Sequence, residues 1–254
     1  MYKIAIVNQK GGVAKSTTAV NLAAEFYRIG HKILLIDLDA QFSATSAIFG
    51  NKKFDSTIYD VIVKGMDIEK TIQNSSNFGY DVVTSDIMLS AADLSIAQEI
   101  GREKILFSQI KSLKYDIMIM DCPPSLGLIT INALTACDLV LIPVCPEYFS
   151  LRGIKLLEQI LYNVETKLLT RSLTKAVLIT RYKHRVVARE AVQVIRNYFG
   201  HKVFKTVIPE NIKIEEAHNA HLPVYKYDET CQASIAYRNL SKEVLEWIQK
   251  KNQK

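Results

Sequence analysis

Apolar, β-branched runs recur along the chain, separated by longer stretches in which apolar positions return every three or four residues. The runs fall at Lys3–Asn8, Lys32–Asp37, Tyr80–Thr84, Asp116–Asp121, Asp138–Val144, Lys175–Arg181 and Val203–Ile208. Several, such as Ile33-Leu34-Leu35-Ile36 and Ile117-Met118-Ile119-Met120, are apolar at every position instead of alternate ones. A strand of that kind is buried on both faces, as in a parallel sheet covered by helices. Helices are predicted near 16–29, 89–112, 127–136, 149–165, 186–199 and 232–250. The alternation predicts an α/β fold: a doubly wound, mostly parallel sheet with helices on both faces.

Within this pattern, 42–79 is rich in Gly, Asn, Ser and Lys and reads as an excursion of loops and short helices. The 254 residues suit one α/β domain. No apolar stretch reaches the ~20 residues of a membrane span, and no leader pattern follows Met1, so a cytosolic protein is expected. The last helix places Leu240, Val244, Leu245 and Ile248 at helical spacing beside Trp247, a pattern that fits docking on the core; the short tail 250–254 is basic. Cys122, Cys137, Cys145 and Cys231 form no CxxC pair and read as structural thiols.

The first strand ends at Asn8 and is followed by Gln9-Lys10-Gly11-Gly12-Val13-Ala14-Lys15-Ser16-Thr17-Thr18 and a helix. A doubly wound fold binds phosphate at this turn. Glycines let successive amides face an anion, and the helix N-terminus adds its positive end. Lys15 can reach the phosphates, and the Ser16 hydroxyl can ligate Mg²⁺. The pattern GxxxxGK[ST] is not met, because Gln9 and Ala14 occupy its glycine positions. Ala14 is therefore expected to have a negative φ. Two further strands end in acids: Asp37-Leu38-Asp39-Ala40-Gln41 and Asp121-Cys122-Pro123-Pro124-Ser125-Leu126-Gly127. They fall where open α/β sheets bind ligands, and Mg²⁺ takes one or two carboxylates together with water and phosphate oxygens.

Lys10-Gly11-Gly12-x-x-Lys15-Ser16 resembles the deviant Walker A loop of the ParA/MinD family of P-loop ATPases. Asp37–Gln41 resembles the DxDPQ motif of its ParA proteins, with Ala40 in place of proline, and Asp121–Gly127 is similar to their D[TC]PPSLG. Glu147-Tyr148-Phe149-Ser150-Leu151-Arg152-Gly153, Val207–Asn211 and His218–Tyr227 resemble further family segments, so the likeness covers nearly the whole chain and is nearest to the Soj-like members. It implies ATP held by Lys10, Gly11, Gly12, Val13, Ala14, Lys15, Ser16 and Thr17, with Pro209 and Asn211 at the base. It implies Mg²⁺ near Ser16, Asp37, Asp39 and Asp121. The catalytic set would be Lys10, Lys15 and Asp39: Lys10 reaches the partner's ATP across a sandwich homodimer, and Asp39 orients the attacking water. Glu210 replaces a usual basic residue, and Lys183 stands where relatives often carry an acid.

Residues 181–205 hold seven Lys or Arg against the single acid Glu190, a local excess equal to the +6 of the whole chain. Such concentration is the footprint of contact with a phosphate backbone. With the resemblance, it implies non-specific binding of double-stranded DNA through Lys183, Arg185, Arg189 and Lys213, nucleoid association when ATP-bound, and a ParB-like stimulating protein. Two rival readings are a MinD-like membrane-associated ATPase, which needs a lipid-facing last helix, and an iron–sulfur relative, which needs thiolates spaced to hold a cluster. A third keeps ATP as a structural ligand, against which Asp39 argues.

Overall fold

The structure, a computed structural model, describes residues 1–148 and 151–252. Phe149 and Ser150 of the Glu147–Gly153 segment, and Gln253-Lys254 of the basic tail, lie outside the described residues.

Eight strands form one sheet: β1 Tyr2–Ile6, β2 Ile33–Asp37, β3 Ile72–Asn74, β4 Asp81–Val83, β5 Ile117–Asp121, β6 Leu139–Val144, β7 Thr174–Tyr182 and β8 Val203–Pro209. The helices are α1 Lys15–Arg28, α2 Ser43–Phe49, α3 Ile58–Lys64, α4 Ala92–Ser95, α5 Ile105–Ile110, α6 Leu128–Ala136, α7 Leu151–Lys167, α8 Val186–Phe199, α9 Ile212–Asn219, α10 Val224–Tyr227 and α11 Gln232–Asn252. The sheet order is β3-β4-β2-β5-β1-β6-β7-β8. Every neighbouring pair is parallel except β3–β4.

Side chains alternate along each strand, and the two sets enter different cores. Ile4, Ile6, Leu35, Ile119 and Leu141 pack with α1, α2 and α11. Ala5, Val7, Ile36, Met120 and Ile142 pack with α3, α5, α6, α7 and α8. This two-sided burial is why the central strands are apolar throughout. The last helix docks as its spacing predicts: Tyr237, Leu240 and Val244 are fully buried, and Leu245 and Trp247 pack against the same core. Its Glu243 also accepts hydrogen bonds from the Lys205 and Thr206 amides (2.7 and 3.0 Å), closing the edge strand β8 where its register with β7 slips. Among the described residues no helix is long and apolar enough to cross a membrane.

The structure departs from the sequence reading in several elements, among them α9 and α10, which were not expected. The helix expected over 89–112 is broken into α4, α5 and short 3-10 turns. Gly101 adopts φ 74° between them, and Leu94 and Ile100 are exposed, so the apolar spacing there does not mark a buried stripe. The antiparallel edge strand β3 was not expected because Ile72-Gln73-Asn74 is three residues long and two of them are polar.

Candidate active site

The phosphate loop is tied to the sheet before it turns. Asn8 donates to the Pro143 carbonyl (2.7 Å) and accepts from the Lys10 amide (3.0 Å). Gln9 donates to the Gly153 carbonyl near the start of α7 (2.9 Å). Gly12 then takes φ 71°. Ala14 takes φ 62° and ψ 38°, which corrects the expected negative φ. A left-handed alanine costs roughly 1–2 kcal/mol; the loop enforces it because the Ala14 carbonyl must accept from the Thr18 amide (3.0 Å) to start α1. That helix has no side-chain N-cap and no acid in its first turn. Its open amides and dipole end are therefore left to an anion.

Lys15 is buried and folds back toward the Lys10 carbonyl (3.4 Å). Burial lowers its pKa, and the carboxylates of Asp121 and Asp39 oppose that shift. Lys10 is exposed at the rim, outside the lining of the adjoining cleft.

The three acids converge because β2 and β5 run side by side, with Asp37 in register with Asp121. Asp37 is fully buried and accepts from the Thr45 amide and hydroxyl (both 2.8 Å) and from the Asp39 amide (3.1 Å). Burial nevertheless raises its pKa to about 6. Asp121 is equally buried, and neither of its carboxyl oxygens has a hydrogen-bond partner of ordinary geometry. Burial and the nearby Asp37 push its pKa well up, while the Ser16 hydroxyl and Lys15 pull it down. Buried polar atoms are rarely left unsatisfied, and a cation could complete the partners of this carboxylate. Among the described residues no three His, Cys, Asp or Glu form a metal cage by themselves.

A cleft of about 550 Å³ opens from the loop. Gly11, Gly12, Ala14, Lys15, Ser16, Thr17 and Asp39 line one end. Val13 is buried, its carbonyl accepting from the Thr180 hydroxyl (3.0 Å). Pro209 and Asn211 line the same cleft, with Ile208, Ile214 and Phe78. Asn211 also caps α9 by accepting from the Lys213 amide (2.9 Å). Sequence reading missed Thr180 and Arg181, which meet the phosphate loop across more than 160 residues.

The basic residues are less bare than the linear count implies. Lys183 pairs with Glu147 (3.4 Å) and Glu210 (2.8 Å), Arg185 with Glu147 (3.6 Å), and Lys213 with Glu216 (2.8 Å). Glu147 and Glu210 flank the counted stretch in sequence but face it in space. Arg189 is exposed on α8.

A parallel sheet with a phosphate loop after β1 and acids at the ends of β2 and β5 defines a P-loop nucleotide-hydrolase fold with a deviant Walker A loop. The family model described as an AAA domain matches residues 1–175. The sporulation initiation inhibitor protein Soj of Bacillus subtilis is 40% identical over 246 residues, 95% of this chain and 97% of that protein. The chromosome-partitioning ATPase Soj of Treponema pallidum is 36% identical over 95% of this chain and 96% of its own. Among solved structures, cobyrinic acid a,c-diamide synthase of Mycobacterium smegmatis, with bound ATP analog and magnesium, matches at a TM-score of 0.86 and 26% identity over 96% of this chain and 94% of that one. The chain belongs to the Soj/ParA family of partition ATPases.

Proposed function

We propose that this chain is a ParA-type partition ATPase working from one P-loop domain. It binds MgATP, closes face to face with a second copy, binds double-stranded DNA without sequence preference, and hydrolyses ATP slowly to drive plasmid or chromosome partitioning. The observation that carries the reading is the convergence of Lys15, Asp37, Asp39 and Asp121 beside an uncapped helix N-terminus and a cleft large enough for a nucleotide.

In this reading the loop amides and Lys15 hold the phosphates, and Pro209 and Asn211 flank the base. Ser16, Asp37, Asp39 and Asp121 hold Mg²⁺, which supplies positive charge against the phosphate oxygens. Asp39, which lines the cleft where Asp37 and Asp121 do not, orients the attacking water. Lys10, exposed at the rim, completes the partner copy's site. Lys183, Arg185, Arg189 and Lys213 meet DNA backbone, and a ParB-like protein accelerates turnover, with the ATP form on the nucleoid in the cytoplasm. The docked α11 buries the apolar face that a membrane-associated positioning ATPase would need for lipid.

Single-turnover hydrolysis tests the assignment. Asp39→Ala is expected to keep ATP affinity and lose hydrolysis by a factor on the order of 10² or more, and Lys10→Ala to bind ATP while remaining monomeric by light scattering. Normal hydrolysis by Asp39→Ala would overturn the role given to that residue.

A further inference from the structure

Consecutive residues at the end of β7 hold consecutive carbonyls of the phosphate loop. The buried Thr180 hydroxyl donates to the Val13 carbonyl at 3.0 Å, and Arg181 Nη1 donates to the Gly12 carbonyl at 2.9 Å. In a trans peptide the carbonyl and the following N–H point in opposite directions. Fixing the Gly12 and Val13 carbonyls therefore fixes the directions of the Val13 and Ala14 amides.

Arg181 is set in place from two further sides. Its backbone takes φ 50°, rare for a residue with a Cβ, within the irregular pairing between Ile179 and Tyr182 of β7 and β8. Its other terminal nitrogen, Nη2, donates to Glu210 Oε1 at 2.8 Å. Glu210 lies between Pro209 and Asn211, and all three line the cleft together with Arg181. One guanidinium thus joins the phosphate loop to the Pro209–Asn211 segment.

We propose that Arg181, locked by Glu210, is a positioning residue for the nucleotide phosphates: with Thr180 it orients the loop amides that receive them. The inference rests on the nucleotide site proposed above and adds to it residues outside the family's loop motif. The guanidinium makes the two bonds from separate nitrogens of one rigid plane, whereas a lysine ammonium would have to make both from a single, rotatable centre.

The test is competition binding of ATP, ADP and AMP to the full chain, compared among wild type, Arg181→Gly, Arg181→Lys and Glu210→Gln. Glycine suits the positive φ, so Arg181→Gly retains the fold. It is expected to weaken ATP and ADP alike by roughly tenfold, the scale of one lost charge-assisted bond, and to change AMP little. Arg181→Lys should reproduce most of that loss, and Glu210→Gln part of it. Full rescue by Lys, or an equal loss for AMP, would overturn the positioning role in favour of simple charge attraction or contact with the base. Unchanged affinities in Arg181→Gly would overturn this inference alone. A wild type that binds neither ATP nor ADP would overturn the site reading with it.

Discussion

Lys183 Nζ lies 2.8 Å from Glu210 Oε2, so the end of β7 and the end of β8 are joined by an ion pair. Glu210 is shared with Arg181, and Lys183 is shared with Glu147, which also faces Arg185. An ion-pair ladder therefore runs from the phosphate loop to the basic surface. Its members are partly exposed, so each pair adds only about 0–1 kcal/mol to stability. Their larger effect is on the charge presented to a polyanion.

That charge is measurable. Glu147→Gln should tighten binding to a random-sequence duplex and steepen the dependence of log K on log[salt]. Arg185→Ala should weaken binding and flatten the slope by about 1, as for one lost phosphate contact. Fluorescence anisotropy over a KCl series reads both. An unchanged slope in Arg185→Ala would remove that residue from the DNA surface.

Ala14 carries left-handed strain that glycine would not. The relief of roughly 1–2 kcal/mol is offset by about 0.5–1 kcal/mol of extra chain entropy lost on folding. Ala14→Gly should therefore raise the Tm of the nucleotide-free protein by roughly 1–3 °C. Calorimetry checks this, and a lower Tm would show that the Ala14 methyl contributes packing that outweighs the strain.

Asp37 gives a pH dependence of defined sign. Its folded pKa is raised from 3.8 to about 6 by burial, so between those values the folded state holds more protons than the unfolded state. Stability from this group is present at low pH and is lost as pH rises through that window. The stability difference between wild type and Asp37→Asn, followed by urea unfolding, should fall by about 2 kcal/mol from pH 4 to 6.5. Mg²⁺ with an ATP analogue should restore most of it above pH 6, where the carboxylate is ionised and able to face a cation. A flat difference across that range would mean that Asp37 is charged throughout.

The parallel sheet was legible because two-sided burial makes Ile33–Ile36 and Ile117–Met120 apolar at every position. Helix α8 was legible to the residue at both ends, and α11 through its buried spacing. The phosphate loop and the three acids were legible as strings of residues, since each sits within a few positions of a strand end. The Ala14 conformation was not, because it is imposed by the turn into α1 and opposes the residue's own preference. Nor were the grips of Thr180 and Arg181 on Val13 and Gly12, or the neutralisation of Lys183 by Glu210 and Glu147. These contacts join residues far apart in sequence and leave no periodic trace. The break at Gly101 was hidden by apolar residues, Leu94 and Ile100, that keep helical spacing yet face solvent.

The most direct test of a nucleotide-controlled DNA switch is binding of the purified chain to a random-sequence duplex at one fixed low salt concentration. The arms are no nucleotide, MgADP and Mg²⁺ with a slowly hydrolysed ATP analogue. Tight binding is expected only with the ATP analogue, and is expected to be lost in Lys10→Ala. Equal binding in all three states, or none in any, would contradict the switch.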